Sequence, residues 1–324
     1  MIRENQSFVT EFILLGFSSD PTVQCVLFLI FLFIYVFTLL GNVTIIFIVT
    51  TDSLLQKPMY YFIRNLSFLE ICYTSVNVPK MLVNFLVEDK SISFFACATQ
   101  LYFFSLLGVA ECCLLAVMSY DRYVAICCPL HYSTIMKKTT CAYLVGGSWI
   151  TGIVSMFGQT VLVFSLPFCG PNRIDHFFCD VPPILKLSCR DTSQIEISIF
   201  IDSVILILMP FVFILVSYIR ILSTILRIRS TEGRQKAFST CASHLTSVCL
   251  FYGTATLTYL LPESSHSPIV DKLFALFYAV LTPMLNPLIY SLRNKEVLGV
   301  LKKRINRNRN LKSLQKESCC HLRQ

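Results

Sequence analysis

Charge is what this chain has least of. Asp, Glu, Lys and Arg make up 14% of its 324 residues, where a soluble domain carries about a quarter. Hydrophobic residues make up 55% and the mean hydropathy is +0.66, which excludes an ordinary solvated globule. Internal repeats and low-complexity linkers are also lacking, leaving one domain as the economical reading. Residues 1–20 hold no apolar core, so no cleavable signal peptide is expected and the first apolar span serves as an uncleaved anchor.

What is present is long apolar runs. Uncharged stretches cover Pro21 to Thr51, Ser91 to Ala110, Thr139 to Asn172, Ser203 to Ile219 and Phe274 to Leu292, and about 20 apolar residues suffice to cross a bilayer. Two further spans carry ionisable groups, one with Arg64, Glu70 and Lys80 and one with His244. Seven helices are therefore expected, at about 24–50, 58–86, 97–127, 141–165, 196–227, 237–261 and 270–292. Segments this long in lipid are helices, because only intra-segment bonding satisfies the backbone there. The fold class is an all-α membrane protein: an extracellular segment 1–23, a seven-helix transmembrane domain 24–292, and an amphipathic helix with a cytoplasmic tail over 293–324. Within that last piece, Val297, Val300 and Leu301 share one face, while Lys302, Lys303 and Arg304 point to headgroups.

An odd number of spans puts the termini on opposite sides, and Lys/Arg bias orients them. Of 27 basic residues, 19 lie in or beside the segments after the first, third, fifth and seventh spans. The inner face then carries +14 and the outer face −4. The amino terminus is outside, the carboxyl terminus cytoplasmic, and the net charge of +8 is read as membrane-lipid and cytoplasmic-partner contact and not as nucleic-acid binding. Arg220, Arg227, Arg229 and Lys236 form a basic inner rim that meets either a partner or lipid. Of three Asn-x-Ser/Thr matches, only Asn5 lies where a glycosyltransferase reaches it. Four cysteines fall outside, Cys97, Cys169, Cys179 and Cys189, and four thiols pair in three ways. Cys319 and Cys320, in the basic tail, are palmitoylation candidates or unmodified thiols.

The third span ends in MSYDRYVAIC, Met118 to Cys127. Ionisable side chains cost roughly 2.5 to 3.5 kcal/mol in hydrocarbon on insertion scales, so the adjacent Asp121 and Arg122 are either an interfacial salt bridge or a functional pair. Other runs accompany them: Gly41-Asn42, Pro58-Met59-Tyr60, Ser217-Tyr218, KAFSTCASHL from Lys236, FYGT from Phe251, and PMLNPLIYSLRN from Pro283 to Asn294. In order and spacing the chain resembles the vertebrate olfactory receptors, a branch of the rhodopsin-like G-protein-coupled receptors, over nearly its whole length. Two departures stand out. Gln56 and Lys57 replace the His and small residue common before Pro-Met-Tyr, and Glu70 sits where most rhodopsin-like receptors carry Asp.

The resemblance implies a Cys97–Cys179 disulfide and, beside it, Cys169–Cys189, stapling the 166–195 loop as a lid. It implies a G-protein switch of Asp121, Arg122, Tyr218 and Tyr290, with Pro287 and Pro210 as kinks. Helical rise of about 1.5 Å per residue puts Glu111 roughly 15 Å above Asp121. Asn42, Glu70 and Asn286 fall in the same layer, a cluster that either holds an allosteric sodium ion at Glu70 and Glu111 or is purely structural. The same depth arithmetic places a ligand pocket at Phe104, Ser105, Gly108, Val109, Asp202, Ser203, Leu206, Tyr252, Ala255, Tyr259 and Ala279. Asp202 is expected to face water or to pair with Lys186 or Arg190 of the lid more than to touch ligand.

The function expected is an odorant receptor that binds a small volatile molecule and activates a stimulatory heterotrimeric G protein at the plasma membrane, raising cyclic AMP. No enzyme activity and no cofactor beyond that sodium ion are implied. A transporter or channel is the rival from another class, but neither an inverted repeat nor paired broken helices appear. An intramembrane metalloenzyme is weaker still, because His244 has no second His at ligand spacing and is better explained as a helix-end contact.

Overall fold

The computed structural model describes residues 9–169, 171–228, 230–260, 267–292 and 296–304. Asn5, Arg229, Arg293, the side chain of Lys236, and the tail with Cys319 and Cys320 lie outside the described residues. Among the described residues seven long helical spans form, and a polar side chain caps the first, third and sixth. The first span, Pro21–Thr51, starts with Pro at the first turn, where no amide bond is lost, and Asp20 accepts from the amides of Thr22 and Val23. The second is Pro58–Leu86. The third, Phe94–Cys127, is capped by Ser93, whose hydroxyl accepts from Ala96. The fourth is Lys138–Phe164. Ser230 caps the sixth, Thr231–Tyr259, by accepting from Gly233.

The fifth and seventh spans are interrupted. A π turn over Val204–Leu208 joins Ser193–Ser203 to Met209–Leu226, and another over Phe277–Leu281 joins Pro268–Leu276 to Thr282–Leu292. Each π turn adds a residue to the helical path and so turns the side chains beyond it onto a different face. The expected helix starts at 24, 97, 141, 196 and 237 fall three to six residues late; at 141, 196 and 237 the first turn carries polar residues, so the apolar run begins after it.

The third span runs through the middle and packs against the second, fourth, fifth and sixth. Its closest approach is to the fourth: a Cβ on Gly152 would collide with the Leu106 carbonyl oxygen, so the two backbones touch there. Outward faces are apolar, with Phe33, Phe157 and Ile219 each more than half exposed, which suits a lipid surround. Five spans are long and apolar enough to cross a membrane on composition. The second and sixth are the two that carry the ionisable residues already noted.

The outer face adds a small sheet to the helical bundle. The outer segment before the first span forms β1, Glu11–Leu14, which pairs antiparallel with β2, Ser91–Ser93, and parallel with β3, Arg173–Ile174. Phe12 and Leu14 alternate into a second apolar core with Ile92, Cys97 and Cys179, the period-2 burial of a strand. The lid is stapled by both disulfides, Cys97–Cys179 and Cys169–Cys189.

At the inner end, residues 296–304 are helical, with Val297 and Val300 buried and Lys302 and Lys303 exposed. Arg304, expected toward headgroups, is partly exposed at the end of the first span. It donates to Thr51 Oγ1 at 2.7 Å and lies over Phe47. Lys57, the departure seen in sequence, binds both carboxylate oxygens of Glu296 at 2.8 and 2.9 Å, and the Tyr60 hydroxyl donates to the same group at 2.8 Å. The second span is thereby tied to the helical segment 296–304.

Candidate ligand cavity and cytoplasmic ion pair

Between the third, fourth, fifth, sixth and seventh spans, in the outer half, lies a cavity of about 80 Å³ whose lining is mostly apolar. The third span supplies Phe104, Ser105, Gly108, Val109 and Cys112, the spacing of one helical face. Gly108 leaves room: a Cβ there meets nothing closer than the Tyr73 hydroxyl at 3.7 Å. The fifth span supplies Ile199, Asp202, Ser203, Leu206 and Ile207, again one face. Phe251, Ala255, Tyr259 and Tyr278 close the far wall, with Tyr73, Met156 and Gln159 completing it.

The roof is the lid. Asp180 caps the short helix Val181–Leu185 by accepting from the Val181 amide at 2.8 Å. It also accepts from the Tyr259 hydroxyl at 3.0 and 3.1 Å and from Tyr278 at 3.2 Å. One buried carboxylate therefore ties the lid to the sixth and seventh spans. Burial pushes its pKa up to about 6, against the hydrogen bonds, which act the other way. His176, stacked on Phe177 and edge-on to Phe178, is held down to about 3, first by burial and then by the positive charge of Lys272. Lys272 itself donates to the Gly16 carbonyl and pairs with Asp175 at 2.7 Å.

Nine of the eleven residues expected at the ligand site line the cavity; Tyr252 and Ala279 do not. Tyr252 turns down to donate to the Cys112 carbonyl at 2.8 Å, and its neighbour Phe251 takes the wall position. Ala279 sits in the π turn, where Tyr278 faces the cavity instead. Asp202 is on the cavity wall and half-buried, so part of its side chain stays open to solvent, in keeping with the water-facing alternative expected for it. Sequence reasoning missed Asp180 altogether, because its partners are 79 and 98 residues away.

Below the cavity lies the polar layer. Glu70 and Glu111 are fully buried and within electrostatic reach of each other. The Asn286 side-chain amide donates to Glu70, Ser247 donates to the Asn286 oxygen, and Asn42 donates to the carbonyls of Thr38 and Pro283. Four oxygens remain without a hydrogen bond: Asn42 Oδ1, Glu70 Oε2 and both of Glu111. An all-oxygen set with two carboxylates fits a hard monovalent cation or a shared proton.

At the inner end of the third span, Arg122 Nη2 binds Asp121 Oδ2 at 2.7 Å. Tyr132, on the next turn of chain, donates to Asp121 Oδ1 at 2.8 Å. Both carboxylate oxygens of a fully buried acid are thus engaged. Tyr218 does not touch Arg122. Its hydroxyl bonds His244 Nδ1 at 2.8 Å, and His244 Nε2 meets the Leu115 carbonyl at 3.1 Å. His244 is therefore no helix-end contact but a buried bridge between the third, fifth and sixth spans. Tyr290 is buried with its hydroxyl unbonded. A second cavity of about 570 Å³ opens here, lined by Arg122, Asp121, Tyr132, His244, Tyr290, Lys57 and Glu296 among others.

The arrangement matches known proteins at both levels. The fold superposes on the crystal structure of squid rhodopsin with a TM-score of 0.70 at 19% identity, over 90% of this chain and 87% of that one. The olfactory receptor family matches residues 31–308. The chain belongs to the olfactory receptor family. Olfactory receptor 10A7 of Homo sapiens is 55% identical over 94% of this chain and 96% of its own length. Olfactory receptor 5AR1 of Mus musculus is 51% identical over 94% and 98%. This olfactory receptor is accordingly a multi-pass membrane protein of the G-protein-coupled class, a receptor and not an enzyme, with an odorant and a G protein as the partners its family implies.

Proposed function

We propose that this receptor binds a small volatile molecule in the outer cavity and, from the plasma membrane, activates a stimulatory heterotrimeric G protein that raises cyclic AMP. One observation carries the reading. The third span contributes both the cavity wall, Phe104 to Cys112, and the Asp121–Arg122 pair beside the inner cavity. Val109 and Asp121 are twelve residues apart on that single helix, roughly 18 Å, so a ligand that displaces the helix acts on the pair without a further relay. The ion pair, closed by Tyr132, is the resting arrangement. Activation frees Arg122 toward the inner cavity, where Tyr218 and Tyr290 receive it and the G protein enters. The basic residues Arg220 and Arg227 near it support a cytoplasmic side for that cavity.

Glu70 and Glu111, with Asn42 beside them, would hold a sodium ion, which would offset the carboxylate charge in the resting arrangement. The four unbonded oxygens support this, since buried acids must be paired, protonated or metal-bound. Glu111→Gln then removes the sodium dependence of basal signalling in receptor that reaches the surface; unchanged dependence refutes the ion. The whole reading is tested by a cyclic-AMP reporter against a chemically broad odorant panel. A response that disappears in Arg122→Ala, at wild-type surface density, is the expected result. A response that persists there contradicts the switch.

A further inference from the structure

The cavity wall carries one carboxyl group with no protein partner among the described residues. Asp202 is the one acidic side chain in the lining, and no Lys, Arg or His joins it there. Its carboxylate accepts no hydrogen bond and joins no ion pair among the described residues. The other acid of the roof is different in kind: Asp180 is bonded to one amide and two tyrosine hydroxyls. Around Asp202 the fifth-span face offers Ile199, Ser203 and Leu206, and the Ser203 hydroxyl is already committed to the Ile199 carbonyl at 2.8 Å. Half-buried and without a protein donor, the carboxylate is met by water until a ligand displaces that water, and a ligand cation then replaces it most favourably.

Size narrows the choice. A cavity of about 80 Å³, at roughly 10–15 Å³ for each water-sized position, holds a ligand of roughly five to eight non-hydrogen atoms. The field narrows it further: an unbalanced carboxylate repels organic acids and attracts ammonium groups. We infer that this receptor's ligand class is small protonated aliphatic amines, anchored through their ammonium group by Asp202, with the alkyl chain lying against Phe104, Gly108 and Phe251. The assignment rests on the outer cavity being the ligand site. An amine enters as R–NH3+, with no bond made or broken.

The experiment uses the full-length receptor with surface density measured by external label, and pentylamine, 1-pentanol and pentanoic acid as size-matched probes in a cyclic-AMP reporter. Wild type is expected to respond to pentylamine at lower concentration than to pentanol and to ignore pentanoic acid. Asp202→Asn is expected to raise the half-maximal pentylamine concentration by about 30-fold or more, in line with removing one member of a buried charge pair, while moving pentanol far less. Asp202→Glu is expected to keep the amine preference. Several results overturn the assignment: silence to pentylamine, pentanol or pentanoic acid preferred to it in wild type, or an unchanged ranking in Asp202→Asn. The wild-type ranking decides the matter even if a variant fails to reach the surface. Failure of the cavity reading itself looks different: the amine response then survives Gly108→Leu, which fills the space.

Discussion

Removing one oxygen from Tyr132 is expected to loosen the resting state. In the structure its hydroxyl donates to Asp121 Oδ1 at 2.8 Å while Arg122 occupies Oδ2 at 2.7 Å, and Asp121 is fully buried. Tyr132→Phe leaves one oxygen of this buried carboxylate without its protein donor. A hydrogen bond to a charged group is worth about 1.5–3 kcal/mol net. If the bond exists only while Arg122 is held, the lower figure alone raises the ratio of active to resting receptor about tenfold. A receptor active in about 1% of molecules without ligand would then be active in about 10%. The assay is ligand-free cyclic AMP at matched surface density, together with the maximal odorant response. Basal signal should rise several-fold while the maximum is kept. Basal signal at or below wild type, with the maximum intact, refutes the idea that Tyr132 holds the resting pair. Because Tyr132 and Arg122 share one carboxylate, Asp121→Asn and Tyr132→Phe should be strongly non-additive.

Two lid groups should give opposite pH dependences. His176, depressed to about 3 from 6.5, contributes stability that is present above 6.5 and lost as pH falls; Asp180, raised to about 6 from 3.8, contributes stability that is present at low pH and lost as pH rises. Acidification from pH 7 to 5 therefore costs about 2 kcal/mol through His176 and returns about 1 kcal/mol through Asp180. Thermal unfolding of solubilised receptor should become more acid-sensitive in Asp180→Asn and less so in His176→Gln; the reverse order contradicts both burials. Gly152→Ala should cut thermal stability by about 1–3 kcal/mol, the usual cost of overpacking, because its Cβ meets the Leu106 backbone and no flexible side chain. Equal melting temperatures would mean that the third and fourth spans are less closely apposed.

Much of this was legible in sequence, for physical reasons that differ by element. The spans announce themselves because charge is excluded from lipid, and the second and sixth are recoverable only because turns bracket them. Helix starts were read late since Asp20, Ser93 and Ser230 are polar and look like loop until their cap bonds are seen. The disulfides came from resemblance, for spacing alone allows three pairings. On the cavity wall a one-residue choice of face decided Phe251 over Tyr252, and a π turn decided Tyr278 over Ala279. Neither is written in hydropathy. β1 escaped notice because its four residues pair with strands far away in the chain. His244 escaped because its partners, Tyr218 and the Leu115 carbonyl, belong to other helices.

The central claim is that occupancy of the outer cavity drives the cytoplasmic pair, and filling that cavity tests it most directly. Gly108→Leu places a side chain in the space beside Tyr73 without touching Asp121 or Arg122. Concentration–response curves for any activating odorant, taken at equal surface density, should collapse in this variant while its cytoplasmic machinery, made active by Tyr132→Phe, still raises cyclic AMP. A full odorant response from the filled receptor would contradict the account.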